Sequence, residues 1–207
     1  MGTTRSGASP LSSFGRYRRL LTRRLLQLKP TLSQAESKHG PVILKLLDKA
    51  SDELHILEAL NSIRSVAHHV VPVLDSFHLD IGTTIALPIA SPLDSHRFTS
   101  SSVTLDLMHQ LTRAVAFIHA NGVAHLDFKP DNLLVSCTAG RLRLVMIDFD
   151  VSVFVDSPDN QIEGFVGTAL WVAPEVGTEH GPPQSYTRFV SIFGHADGCR
   201  LRSHIQQ

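Results

Sequence analysis

A chain of 207 residues, 43% of them hydrophobic, is long enough to bury one sizeable core, or a small lobe and a larger one. Its formal net charge of zero argues against a protein whose whole surface binds nucleic acid or membrane. The two cysteines form no CxxC pair, which argues against a disulfide framework or a zinc site and favours a reducing cytoplasmic or nuclear setting. No apolar run reaches the length of a transmembrane helix.

Residues 1–40 are predicted to form a basic leader that is disordered or helical. Its first 35 residues contain no acid, and arginines alternate with leucines at near-helical spacing, as in an amphipathic basic helix or a mitochondrial transit peptide. The opening hexapeptide also satisfies the N-myristoylation pattern. Membrane association is expected only through this leader, and mitochondrial targeting is a minor alternative to the cytoplasm or nucleus.

A short apolar run and a helical pattern come next. Residues 42–47 are apolar except for Lys45 and predict a buried strand. The plain alternative for Lys45 is a lysine at a strand end with its head in water. Residues 53–60 then carry an apolar helical stripe, for which Ser51 or Asp52 is a suitable N-cap.

Two further strands are predicted at 70–77 and 83–89, joined by a turn at 80–82. The second is expected to lead through a polar linker, 91–102, into the next element. That element is an amphipathic helix at 104–121, ending at Asn121-Gly122.

A predicted hairpin follows the loop that begins at His125. Its short strands lie at 133–135 and 142–147, around Ala139-Gly140. The hairpin should place Asn132 and Asp148 at neighbouring strand ends.

The loop itself concentrates polar groups in the order His125-Leu-Asp127-Phe-Lys129-Pro-Asp131-Asn132. Phosphoryl transfer needs a carboxylate to orient the acceptor hydroxyl, an amine to meet the charge of the moving phosphoryl group, and oxygen ligands for a metal. Asp127 and Lys129 match the first two tasks, and Asn132 and Asp148 match the third. His125, flanked by apolar residues, is expected to be packed and hydrogen-bonded, not a base or ligand.

This loop resembles the H-R-D-x-K-P-x-N catalytic loop of eukaryotic protein kinases, and Asp148-Phe-Asp150 resembles their D-F-G metal-binding turn. Downstream, Gly167-Thr168 and Trp171-Val-Ala-Pro-Glu175 resemble the substrate-facing loop and the A-P-E segment. Three motifs in the right order argue against a chance collection of polar residues in one turn. The lysine after Asp127 is similar to the serine/threonine kinases, and residues 181–186 are similar to a loop of some divergent fungal members.

The resemblance implies an α+β, two-lobed protein kinase-like fold, which uses ATP and Mg²⁺ and acts on a protein substrate. The small lobe is expected at about 41–92, the large lobe at about 93–186, and a divergent tail at 187–207. No nucleic-acid partner is expected.

The resemblance also implies roles for particular residues. Asp127 and Lys129 would be catalytic, and Thr168 would hydrogen-bond to both. Lys45 and Glu53 would bind and position ATP, with Glu58 as the alternative glutamate. Two residues, Asn132 and Asp148, would complete the cofactor site as metal ligands.

The chain departs from the family pattern at several places. Residues 16–39 contain no glycine, so a G-x-G-x-x-G phosphate loop is not recognisable before Lys45. Leu126 replaces the arginine that ordinarily grips a phosphate on the activation loop, and Asp150 replaces a glycine. The tail predicts no long buried helix, and Asp197 is the sole candidate for the aspartate that anchors it. The fold is therefore expected to be incomplete at both ends.

Three functions follow from these patterns. The first is an active serine/threonine protein kinase, favoured by the retained polar side chains. The second is a pseudokinase or kinase fragment that acts as a binding module, favoured by the missing glycine loop and by Asp150. The third, a small-molecule phosphotransferase, is disfavoured because Gly167-Thr168 and the A-P-E segment are typical of kinases with protein substrates.

Overall fold

The computed structural model describes residues 18–19, 31–79, 82–93, 100–138, 140–155, 161–163, 165–172, 176 and 185–187. They form a β-rich lobe followed by a lobe built around one long helix, which confirms the α+β class. Among these residues, no helix is both long enough and apolar enough to cross a membrane.

The first lobe is an antiparallel sheet of five strands in the order β1-β2-β3-β5-β4. The strands are β1 Arg18–Arg19, β2 Leu32–Ser37, β3 Gly40–Leu46, β4 Asp75–Leu79 and β5 Gly82–Pro88. The predicted lysine strand, β3, lies at the centre of this sheet, so backbone hydrogen bonds hold it from both sides.

Strand β2 lies inside the segment that was predicted to be a disordered or helical leader, and that prediction was wrong for residues 32–37. The reason is that its sequence carries almost no hydrophobic alternation: Ala35 is its one fully buried side chain, packed in a cluster with Val42, Leu44 and Phe77. Pairing with β3 along six residue pairs, from Leu32–Lys45 to Ser37–Gly40, defines the strand instead.

The strand predicted at 70–77 begins only at Asp75. Pro72 lacks the N–H that a ladder requires, and Val70 and Val71 contact Met146 instead, through a bridge and a 2.9 Å hydrogen bond from Val71 N to Met146 O. This stretch therefore connects the two lobes.

Helix α1, Glu53–Asn61, lies between β3 and β4. The hydroxyl of Ser51 accepts a 3.2 Å hydrogen bond from Glu53 N, while the side chain of Asp52 caps nothing. The buried face consists of Glu53, Ile56, Leu57 and Leu60. Glutamate is rarely buried to this extent unless it is paired, which directs attention to its partners.

The second lobe is organised by helix α2, Ser101–Ala120. It ends where predicted, with Gly122 at φ +69° donating from its N–H to His119 O at 3.0 Å. The remaining strands are β6 Ser91–Pro92, β7 Val123–Ala124, β8 Leu133–Thr138, β9 Arg141–Met146, β10 Val153–Phe154, β11 Gln161–Glu163 and β12 Ser185–Thr187.

The predicted hairpin is β8–β9, and β6 joins it as a third strand, so the expected linker begins with a short strand. Strand β7 pairs with β10, and β11 pairs with β12. One hydrophobic cluster contains Leu57 of α1, Ile85 of β5, Ile118 of α2, Met146 of β9 and the fully buried Phe149. This shared core fixes the loops at the ends of β7, β8 and β9 relative to β3 and α1.

Candidate active site

Lys45 projects from the centre of β3 into a group of carboxylates. Its Nζ lies 2.6 Å from Glu53 Oε2, 2.7 Å from Asp148 Oδ1 and 3.3 Å from Asp150 Oδ2. The side chain is only 8% exposed, so its head is not in bulk water. Burial acts to lower the pKa of Lys45, but the charges of Glu53 and Asp148 outweigh it and raise the pKa above its ordinary value.

Glu53 is the glutamate that pairs with Lys45, whereas Glu58 lies exposed on the same helix. Its second oxygen, Oε1, accepts a 3.2 Å hydrogen bond from Phe149 N. Burial, followed by a hydrogen bond with Asp150, raises the pKa of Glu53 to about 7, although the nearby Lys45 acts to lower it. The pair therefore joins β3, α1 and the turn after β9.

Asp127 lies at the centre of a second polar cluster. Lys129 Nζ donates to its Oδ2 at 2.7 Å, and Thr168 Oγ1 donates to its Oδ1 at 2.6 Å. Lys129 Nζ also donates to Thr168 Oγ1 at 2.5 Å, which closes a triangle. Burial acts to raise the pKa of Asp127, but hydrogen bonds from Lys129 and Thr168 prevail and hold it below its ordinary value. The carboxylate is therefore ionised at neutral pH.

Asn132 joins this cluster through its amide nitrogen. Nδ2 donates to the backbone oxygen of Asp127 at 2.8 Å and to its Oδ2 at 3.1 Å. Because the nitrogen is committed to Asp127, Oδ1 is the atom that can bind a cation. The backbone oxygen of Asn132 accepts a 3.0 Å hydrogen bond from Ile147 N, so the ends of β8 and β9 meet next to Asp148.

The loop before Asp127 is fixed by His125. Its Nε2 lies 3.0 Å from Ile147 O, and its Nδ1 lies 3.3 Å from Asp127 N, which requires the proton on Nε2. The ring packs on Phe149 with centroids 4.7 Å apart, and its burial lowers the pKa of His125. As predicted, this histidine is packed and hydrogen-bonded.

Three residues adopt positive φ around these clusters. Leu126 and Asp148 do so without being glycine, at φ 62° and 66°. Gly167 has φ +112°, and a Cβ atom there would lie 2.7 Å from Leu126 O. Only glycine fits this close approach, which brings Thr168 onto Asp127.

Asp150 has no positive φ, so the turn after β9 does not use the conformational freedom that glycine would provide there. The positive φ lies at Asp148 instead. Asp150 thus adds a carboxylate without requiring a strained backbone of its own.

The donor set suits a hard divalent cation such as Mg²⁺. Carboxylate oxygens of Glu53, Asp148 and Asp150 lie within 4.8 Å of one another, and Asn132 offers an amide oxygen from the adjoining strand end. Oxygen ligands of this type are those that Mg²⁺ binds together with phosphates.

A profile of the protein kinase domain matches residues 28–196. The chain belongs to the protein kinase family. Residues 28–40, predicted to lie in the leader, therefore fall within the match, as does part of the predicted tail. The other domain boundaries remain predictions.

The relatives of this kinase chain are serine/threonine kinases by name. It is 29% identical over 147 residues to the ovarian-specific serine/threonine-protein kinase Lok of Drosophila melanogaster, covering 70% of this chain and 30% of that protein. It is 36% identical over 108 residues to the serine/threonine-protein kinase PkaA of Streptomyces coelicolor, covering 49% of this chain and 19% of that protein. For CDPK-related kinase 8 of Arabidopsis thaliana, the values are 45% over 67 residues, 32% and 11%.

This kinase chain thus spans less than a third of each of these relatives. The structure brings the predicted site residues into two polar clusters, one around Lys45 and one around Asp127. The A-P-E segment and Asp197 lie outside the described residues, as do residues 20–30, where a phosphate loop would be sought.

Sequence reasoning missed two features of the site. The first is Gly167, whose positive φ was signalled only by its residue type beside Thr168. The second is a contact between Ser51 and Asp150, residues 99 positions apart, for which the sequence carries no local signal.

Proposed function

We propose that this chain is an ATP- and Mg²⁺-dependent serine/threonine kinase that transfers the γ-phosphate of ATP to a hydroxyl of a protein substrate. The observation that carries the proposal is the triangle of Asp127, Lys129 and Thr168, in which every distance is 2.7 Å or less. A carboxylate, an ammonium group and a hydroxyl held this closely form a preorganised site for an incoming alcohol.

Asp127 is proposed to orient the acceptor hydroxyl. Its carboxylate already accepts hydrogen bonds from Lys129, Thr168 and Asn132, and a carboxylate has room for about four in total. A substrate hydroxyl would provide the fourth. Since these hydrogen bonds lower the pKa of Asp127, it is a weak base, and its main contribution is orientation, with proton acceptance late in the transfer.

Lys129 is proposed to meet the negative charge of the transferred phosphoryl group. Its ammonium group has three hydrogens, two of which are directed to Asp127 and Thr168, so one remains for a phosphoryl oxygen. Preorganised charge of this type stabilises a transition state without reorganisation during the reaction.

Lys45 is proposed to bind the α- and β-phosphates of ATP, held in place by Glu53. Asn132 and Asp148 would hold Mg²⁺, which neutralises phosphate charge when bound. The 2.7 Å contact between Lys45 and Asp148 supports this arrangement, because both groups must reach the same triphosphate.

The alternative is a kinase-like binding module without catalysis. Two observations favour it: the absence of glycine from residues 16–39 and the third carboxylate, Asp150, beside Lys45. Repulsion between ATP phosphates and an additional carboxylate would weaken nucleotide binding unless a cation lies between them.

Phosphate incorporation into a generic protein substrate distinguishes these functions. The natural chain and Asp127→Asn would be compared with Mg-ATP, with Asp106→Asn as the matched control, since Asp106 is exposed and its contact to Gln110 needs only an acceptor. We expect Asp127→Asn to lower the rate by about 100-fold or more, because the orienting carboxylate is lost, and Asp106→Asn to leave it unchanged. Equal incorporation by the natural chain and Asp127→Asn would reject catalysis by this site.

A further inference from the structure

Asp150 connects the turn after β9 to the beginning of α1. From its contacts we propose that Asp150 is a positioning residue, which fastens that turn to Ser51 and thereby holds α1, Glu53 and Lys45 in the paired arrangement. This inference rests on the proposed kinase function for its catalytic consequences, although the clasp itself is a property of the ligand-free protein.

The clasp consists of a short series of polar contacts. Ser51 Oγ donates to oxygens of Asp150, with Oδ1 at 3.3 Å and the backbone O at 3.4 Å. The same hydroxyl oxygen accepts from Glu53 N at 3.2 Å. A single side chain therefore satisfies the first turn of α1 and also binds the turn that follows Asp148.

The second oxygen of Asp150 reaches the strand lysine. Oδ2 lies 3.3 Å from Lys45 Nζ, and a hydrogen bond with Asp150 contributes to the raised pKa of Glu53. Asp150 thus contacts all three structural units of this cluster: the lysine strand, the helix start and its own turn.

Few other polar contacts perform this task among the described residues. Glu53 Oε1 to Phe149 N is the other printed hydrogen bond between α1 and the turn, and it also lies in the first helical turn. Moving α1 outward would break both contacts together and separate Glu53 from Lys45. Since Leu126 stands where related kinases have a phosphate-gripping arginine, contacts of this type must hold the site without that arginine.

Amide hydrogen exchange of α1 in the ligand-free chain tests the clasp directly. Asp150→Asn and Ser51→Ala should each raise exchange in residues 53–56 by about fivefold, because each removes an anchor of modest strength at a partly exposed site. In the Ser51→Ala background, Asp150→Asn should have a clearly smaller effect, since the two residues act through one contact. Ser51→Thr, which keeps the hydroxyl, should restore slow exchange.

Asp52→Asn is the matched control. It removes the same charge at the same helix end, but the Asp52 side chain is exposed and makes no capping hydrogen bond. It should leave exchange unchanged. Exchange in Asp150→Asn equal to that of the natural chain, or fully additive effects of Asp150→Asn and Ser51→Ala, would overturn the clasp.

Kinetics then relate the clasp to catalysis. Asp150→Asn and Asp150→Gly should raise the KM for ATP by about three- to tenfold with little change in the KM for the protein substrate, because the contact positions the ATP-binding lysine. Higher activity in either variant would overturn the proposal, since the additional carboxylate would then weaken the site. If the natural chain proves no more active than Asp127→Asn, the kinase function fails, and the exchange experiment still decides the clasp.

Discussion

Glu53 is a buried carboxyl group whose ionisation should affect folding. It is only 1% exposed, and its pKa is raised from an ordinary value of 4.5 to about 7 by burial and by Asp150, against the opposing effect of Lys45. Replacing it by glutamine keeps the size of the side chain and removes the titration.

The sign and size of the effect follow from linkage. Between pH 4.5 and about 7 the folded state holds a proton that the unfolded state has released, so stability falls as pH rises through this window. At about 1.4 kcal/mol per pH unit, the free energy of unfolding should fall by about 3 kcal/mol across it. Below the window both states are protonated, and above it both are ionised. Lys45, with its raised pKa, titrates far above this range.

Denaturant unfolding at a series of pH values measures this slope. The difference in unfolding free energy between the natural chain and Glu53→Gln should change by about 3 kcal/mol between pH 4.5 and 7. Histidines such as His125 titrate in both proteins, so their effects cancel. Glu58→Gln, at an exposed position of the same helix, should give a flat difference. A flat difference for Glu53→Gln as well would refute the assigned titration.

Two substitutions probe the triangle around Asp127. Gly167→Ala introduces a Cβ 2.7 Å from Leu126 O and 2.8 Å from Val172 Cγ1 at φ +112°, so we expect Thr168 to shift and kcat/KM to fall by about tenfold or more; an unchanged rate in a folded variant would contradict the positioning role of this glycine. Thr168→Val removes the hydroxyl and should lower the rate of phosphate transfer by about 10- to 100-fold, whereas Thr168→Ser should stay within about threefold of the natural chain; an equal loss in both would show that the hydroxyl is not what matters.

The sequence was sufficient where a residue's type conflicts with its surroundings. A lysine in an apolar run predicted a partner for its charge, and Lys45 is indeed buried among carboxylates. The amphipathic pattern and Asn121-Gly122 located α2 to within a few residues, because periodicity and a glycine terminus are local signals.

It was insufficient where tertiary contacts decide. Strand β2 has little hydrophobic alternation and is defined by its ladder to β3, so a basic leader was predicted over it. Asp150 was expected to disturb the turn by replacing glycine, but positive φ lies at Asp148. The contact from Asp150 to Ser51 spans 99 positions, and no pattern within either segment indicates it.

Nucleotide binding tests most directly whether Lys45 and Asp148 form one cleft for a metal-bound triphosphate. Thermal unfolding would be followed with and without Mg-ATP at about 100 times its dissociation constant, where binding stabilises the native state by about 2.7 kcal/mol. We expect the midpoint of the natural chain to rise by about 5 to 10 °C, with Asp127→Asn retaining the rise and Lys45→Met and Asp148→Asn losing most of it. No rise in the natural chain, or the same rise in Lys45→Met, would contradict the assignment.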